Sequence, residues 1–145
     1  MKKIIIINGP NLNLLGKREI DIYGKTTLTE IQKLSINKAN ELNIDLKFYQ
    51  SNSESEIIEL IHKVQTDFDG LIINPAAFTH TSIALLDALK TISKPKIEIH
   101  LSNIYNREDY RKNSITSNGV DGIICGFGPL SYILAIEALN GLLAN

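Results

Sequence analysis

Ile4-Ile5-Ile6-Ile7-Asn8-Gly9-Pro10 is the stretch that decides the fold. Four β-branched residues in a row carry no polar alternation, so the strand they form must be covered on both faces. Asn8, Gly9 and Pro10 then end it abruptly. Apolar runs with few internal polar residues recur at 71–73, 97–101 and 122–125, as in strands buried on both sides. The run at 45–49 alternates instead, as an edge strand does. Helical patterns fill the gaps between these runs. Thr27-x-x-Glu30 reads as a capping box, followed by Leu28, Ile31, Leu34 and Leu42 on roughly one face. Ser53-x-x-Glu56 opens a second helix with Ile57, Ile61, Val64 and Phe68 at helical spacing. A third begins near Thr79 and runs through Ile83, Leu86 and Leu89. A short helical turn is expected near 106–113, and a last helix starts at Pro129, a good first-turn residue.

Five strands alternating with helices predict a single α/β domain over 1–145, a three-layer sandwich around a five-stranded parallel sheet. The commonest order for this size is flavodoxin-like, 2-1-3-4-5, with its ligand site beyond the carboxyl ends of strands 1 and 3. The unusual polar residues gather there. Residues 8–24 follow strand 1, 74–80 follow strand 3, and 100–111 follow strand 4.

The bulk numbers exclude several classes. A net charge of -1 offers no global field for nucleic acid or anionic membrane. One cysteine, Cys125, leaves no internal disulfide and no cysteine cluster, and it reads as a small buried hydrophobe. The three histidines lack metal-ligand spacing, so no metal is expected, and His62 reads as solvated. Four isoleucines after Met1-Lys2-Lys3 are too few for a signal-peptide core, so the expected location is cytoplasmic. Gly126-x-Gly128-Pro129 resembles a phosphate loop but lacks the full dinucleotide fingerprint.

Three segments could carry chemistry. The long loop from Asn8 to Gly24 holds Asn11, Arg18 and Tyr23, with glycines suited to a lid over about 12–24. A guanidinium beside a phenol favours the phenolate; the other reading is a surface loop whose tyrosine merely packs. Glu98-Ile99-His100 alternates, so its two polar side chains share one strand face and can pair. Such a carboxylate would orient and charge the imidazole for general acid work, or the two could form a satisfied polar contact under a helix. The polar residues after strand 3 could bind an anion at a helix amino end, or Thr79 could simply cap that helix.

In order and spacing, several stretches resemble the type II dehydroquinase family over nearly the whole chain. They are Asn8-Gly9-Pro10-Asn11-Leu12-Asn13-Leu14-Leu15-Gly16 with Arg18 and Tyr23-Gly24, then Asn74-Pro75 with Thr79-His80-Thr81-Ser82 and Asp87. Glu98-Ile99-His100-Leu101-Ser102-Asn103, Arg107, Arg111, Gly126, Gly128 and Tyr132 complete the match. The resemblance implies dehydration of 3-dehydroquinate to 3-dehydroshikimate in the shikimate pathway, without cofactor or metal. It makes Tyr23 the base, Arg18 its activator, and Asn11 the holder of an enolate-stabilising water. His100, paired with Glu98, becomes the acid. Asn74 and the backbone around Leu101 and Ser102 would hold the substrate carboxylate, while His80 and Arg111 would touch ring hydroxyls. Asp87 would reach into a neighbouring subunit's site within a homododecamer built from trimers. This chain departs from the usual pattern at Ala76-Ala77, where glycine is more common, at Phe78, often tyrosine, and at Leu86, often basic.

Two rivals share the fold. A flavin- or nucleotide-binding module would need hydroxyl-rich phosphate donors after strand 1, where this chain has Gly9-Pro10-Asn11-Leu12-Asn13-Leu14. A receiver-type signalling domain would need acidic residues after strands 1 and 3, where Asn8 and Asn74 stand.

Overall fold

The computed structural model describes residues 1–144. Strands β1 (Lys2–Asn8), β2 (Ile44–Gln50), β3 (Gly70–Asn74), β4 (Lys96–His100) and β5 (Gly122–Cys125) pair in parallel in the order β2-β1-β3-β4-β5. Helices α1 (Ile20–Tyr23), α2 (Leu28–Glu41), α3 (Glu54–Asp67), α4 (Ile83–Lys90) and α5 (Leu130–Leu143) complete the flavodoxin-like arrangement. The isoleucine run explains the layering directly. Ile4 and Ile6 pack with Ile31 of α2 and with Ile136 and Leu139 of α5. Ile5 and Ile7 turn the other way, onto Ile57 and Ile61 of α3 and Leu85 and Leu89 of α4. Each of these side chains is buried, and full burial of one isoleucine stabilises the fold by roughly 1.5–3 kcal/mol.

The Thr27–Glu30 capping box forms as the sequence implies, and Ser53 caps α3 by accepting from the Glu56 N–H. Other elements differ from expectation. On α2 the buried stripe steps by four through Ile31, Ser35 and Ala39, which leaves Leu34 about half exposed. The small residues let this helix lie close, and Leu34 falls off the packed face. The third helix begins at Ile83 rather than near Thr79, because Ser82 accepts from the Leu85 N–H and caps it. Residues Ala76–His80 form a separate 3-10 turn, whereas the short helical turn expected near 106–113 is present as the 3-10 turn Asp109–Arg111. β5 is an edge strand with Ile123 exposed, since nothing pairs beyond it in this order. Cys125 is accordingly half-buried rather than sequestered. His62 is solvated, as expected.

The sheet's carboxyl end is drawn together at Gly9. Its N–H donates to the Asn74 carbonyl at 2.8 Å, and a Cβ there would lie 2.5 Å from the Pro75 oxygen. Only glycine lets the loop after β1 run so close to the end of β3. Ala76 stands at φ 53°, in the left-handed region that favours glycine. Left-handed backbone costs a residue with a Cβ roughly 1–2 kcal/mol, while glycine loses about 0.4–1 kcal/mol through its looser unfolded chain. Ala76→Gly should therefore stabilise the protein by roughly 0.5–1 kcal/mol. Chemical denaturation of the two proteins measures this, and a less stable variant would show that Ala76 is not strained.

Candidate active site

The cleft lies where the fold puts it, beyond the carboxyl ends of β1, β3 and β4. The loop after β1 contributes Asn11, Arg18 and Tyr23, and the turn after β3 contributes Asn74 and His80. From β4 and its following loop come His100, Leu101, Ser102, Arg107 and Arg111. The sequence-derived residues thus converge, with two exceptions. Glu98 sits behind His100, fully buried. Asp87 is exposed on α4 and does not line the cleft.

Glu98 and His100 pair as their alternation suggests, with His100 Nε2 donating to the carboxylate at 2.7 Å. Hydroxyls crowd the same carboxylate: Thr116 at 2.6 Å, Thr79 and Ser117 each at 2.9 Å, and Ser114 at 3.3 Å. Burial opposes ionisation of Glu98. The bond and charge of His100, with the Thr116 and Thr79 hydroxyls, outweigh it and hold the carboxyl below its usual range. An ionised carboxylate only accepts, so the imidazole proton sits on Nε2 and Nδ1 is left free of this pair. Thr79 is therefore a buried support for the Glu98–His100 pair and caps no helix.

His80 is held in the opposite tautomer. Its Nδ1–H donates to the Asn113 carbonyl at 2.7 Å, leaving Nε2 as an acceptor. Burial, with the nearby charges of His100 and Arg111, pushes this imidazole below its ordinary value. His80 thus stays neutral at neutral pH.

Tyr23 closes the other side. Arg107 Nη1 donates to its phenol oxygen at 2.7 Å, and the Arg18 and Arg107 guanidiniums each lie 5.2 Å from the ring centre. The cation bonded to the phenol oxygen is Arg107, which the sequence matched without a role; Arg18 covers the ring and pairs with Glu19. The bond from Arg18 and the charges of Arg18, Arg107 and Arg111 hold the Glu19 carboxyl below its usual range, so three cations share one field. Such a field suits a small anion.

The loop is less free than its length suggests. Leu12 and Leu15 are buried in the core and anchor its first part, with Leu14 exposed between them. The glycine-rich turn after β5 is no phosphate cradle. The N–H groups of Gly126, Phe127 and Gly128 are bonded to the His100 carbonyl, the Ser131 hydroxyl and the Leu101 carbonyl. No group of metal-binding side chains occurs among the described residues, and none of their helices is long and apolar enough to cross a membrane.

Fold and cleft together define a flavodoxin-like α/β protein with a cationic pocket and a carboxylate-backed histidine. The family model described as Dehydroquinase class II matches residues 2–140, and the chain belongs to that family, one of hydro-lyases. A 3-dehydroquinate dehydratase of Thermoanaerobacter pseudethanolicus is 53% identical over 140 residues, covering 97% of this chain and 95% of that protein. One from Caldicellulosiruptor saccharolyticus is 54% identical and covers 99% of each. The crystal structure of type II dehydroquinase from Butyrivibrio crossotus superposes with a TM-score of 0.94 at 43% identity, covering 96% of this chain and 97% of that one.

Proposed function

We propose that this chain converts 3-dehydroquinate to 3-dehydroshikimate, with Tyr23 as base and His100 as acid. The observation that carries the reading is the sharing of one cleft by Tyr23, its oxygen bonded to Arg107 and its ring covered by Arg18, and a histidine backed by a buried carboxylate. Tyr23 as phenolate takes the proton from the carbon beside the ketone, and the C–H electrons pass into an enolate. Asn11, on the cleft wall, holds the water that steadies the enolate oxygen. The enolate collapses to a C=C bond as the β-hydroxyl leaves, and His100 supplies the proton that lets it depart as water. Asn74 with the backbone at Leu101 and Ser102 holds the carboxylate, and His80 and Arg111 face the ring hydroxyls.

No lysine lines the cleft, so no imine is involved. Adding 3-dehydroquinate should produce the ultraviolet absorbance of a conjugated enone, and borohydride added with substrate should leave activity intact. Absence of the enone would overturn the reaction, and substrate-dependent inactivation would overturn the mechanism.

Residues 16–24 act as a lid. Gly16 at φ 85° and Gly24 at φ 81° flank the exposed segment, while Leu12 and Leu15 anchor its base. Trypsin should cut first at Lys17 or Arg18, and quinate should slow that cut; ligand-indifferent cleavage elsewhere would count against a lid. Asp87 serves a neighbouring subunit's site in a dodecamer of trimers, a reading supported by its exposure and that of Ile83 on α4. Sedimentation velocity should show the large closed particle. A fully active monomer at micromolar concentration would refute the shared site.

A further inference from the structure

Behind the cleft wall, a chain of buried side chains runs from β2 to Asn74, and its hydrogen bonds have a forced direction. Asn8 is wholly buried, and its amide Nδ2 donates to the Tyr49 carbonyl at 2.9 Å. The other end of that amide, Oδ1, therefore faces Tyr132, whose phenol donates to it at 2.6 Å. Tyr132 is itself fully buried, and burial pushes its phenol well above its usual range, so it keeps that single proton. With the proton committed to Asn8, only the oxygen's acceptor side remains. Asn74 Nδ2 donates to it at 3.0 Å. The Asn74 Oδ1 is turned away and accepts from the Ala76 N–H at 3.2 Å.

The consequence lies in what remains. An amide nitrogen carries two hydrogens, and one of those on Asn74 is spent on Tyr132. The other is unused on a residue that lines the cleft. The reversed amide would set a carbonyl oxygen against Tyr132 Oη, whose proton is already committed, and an N–H against the N–H of Ala76. Both contacts are repulsive in a buried site.

We infer that Tyr132 is a positioning residue that, through Asn8, fixes the Asn74 amide so that the cleft meets an N–H donor and so selects a carboxylate-bearing ligand. This inference rests on the proposed role of Asn74 in holding the substrate carboxylate. Tyr132 touches no reacting atom and acts through Asn74 alone.

Carboxylate preference is the property to measure, as the ratio of dissociation constants for quinate methyl ester and quinate. A hydrogen bond to a charged group is worth about 10–100-fold in affinity, so the wild-type ratio should fall in that range. Tyr132→Phe keeps the ring in the core and removes the hydroxyl. It should lower the ratio at least about fivefold and raise KM for 3-dehydroquinate while kcat stays within about threefold, because the contact serves ground state and transition state alike. In an Asn74→Ala background, Tyr132→Phe should change the ratio no further. Asn8→Ala frees the phenol proton to turn and should shift the ratio in the same direction, which provides the test should Tyr132→Phe fail to fold. An unchanged ratio in Tyr132→Phe or Asn8→Ala, where Asn74→Ala lowers it, would overturn the relay. A further drop in the double variant would overturn action through Asn74. If Asn74→Ala leaves the ratio at its wild-type value, the carboxylate role of Asn74 fails and the relay's function with it.

Discussion

Tyr23→Phe should lower kcat by roughly 10²–10⁴-fold while the dissociation constant for quinate changes by less than about threefold. The ring and its two guanidinium neighbours remain, since the Arg18 and Arg107 contacts are made to the ring face. What disappears is the oxygen to which Arg107 Nη1 donates at 2.7 Å. Steady-state kinetics with a separate titration of quinate distinguishes loss of a base from loss of the site. A variant that turns over within tenfold of wild type would remove Tyr23 from the chemistry. One that no longer binds quinate would assign the hydroxyl to ligand holding instead.

The second large effect is expected at Glu98. Glu98→Gln keeps the volume but removes the charge, and an amide can present its N–H₂ to His100 where only an acceptor stood. The imidazole then loses the partner that fixes its proton on Nε2, and kcat should fall by roughly 10²–10⁴-fold. Stability should respond as well, with a sign that follows from linkage. The folded carboxyl lies below its ordinary value, so it binds its proton more weakly than in the unfolded chain. Its contribution to stability is fully present above the unfolded value, near 4.5, and is lost as pH falls through the folded value. Denaturation midpoints from pH 7 downward should therefore decline less steeply for Glu98→Gln than for wild type. Parallel acid limbs would show that Glu98 is not ionised at a lowered value in the folded protein.

The isoleucine run could be read because its physics is local: four β-branched residues need two covered faces, and both cores form on them. Glu98 and His100 were legible for the same reason, since strand alternation alone puts them on one face. The hydroxyl cage was not. Thr79 and Thr116 lie 37 residues apart and meet only because the 3-10 turns after β3 and before β5 are adjacent. The only signal available was three hydroxyls within Ser114-Ile115-Thr116-Ser117, which looks like an ordinary polar loop. Arg107 reaches Tyr23 across 84 residues of chain, so no local spacing could have favoured it over Arg18 as the donor to the phenol. Leu12 and Leu15 misled in the opposite sense. They stand three apart at the 3-10 turn Leu12–Leu14, a single turn too short to show a period in the sequence.

The division of labour between Tyr23 and His100 is tested most directly by hydrogen exchange without elimination. Incubate 3-dehydroquinate with His100→Gln or Tyr23→Phe in D₂O and follow deuterium at the carbon beside the ketone by NMR. With the base intact and the acid removed, His100→Gln should form the enolate and return it, exchanging that hydrogen faster than it releases water. Tyr23→Phe should neither exchange nor eliminate. Exchange at the wild-type rate in Tyr23→Phe, with none in His100→Gln, would contradict the assignment and make the histidine the base.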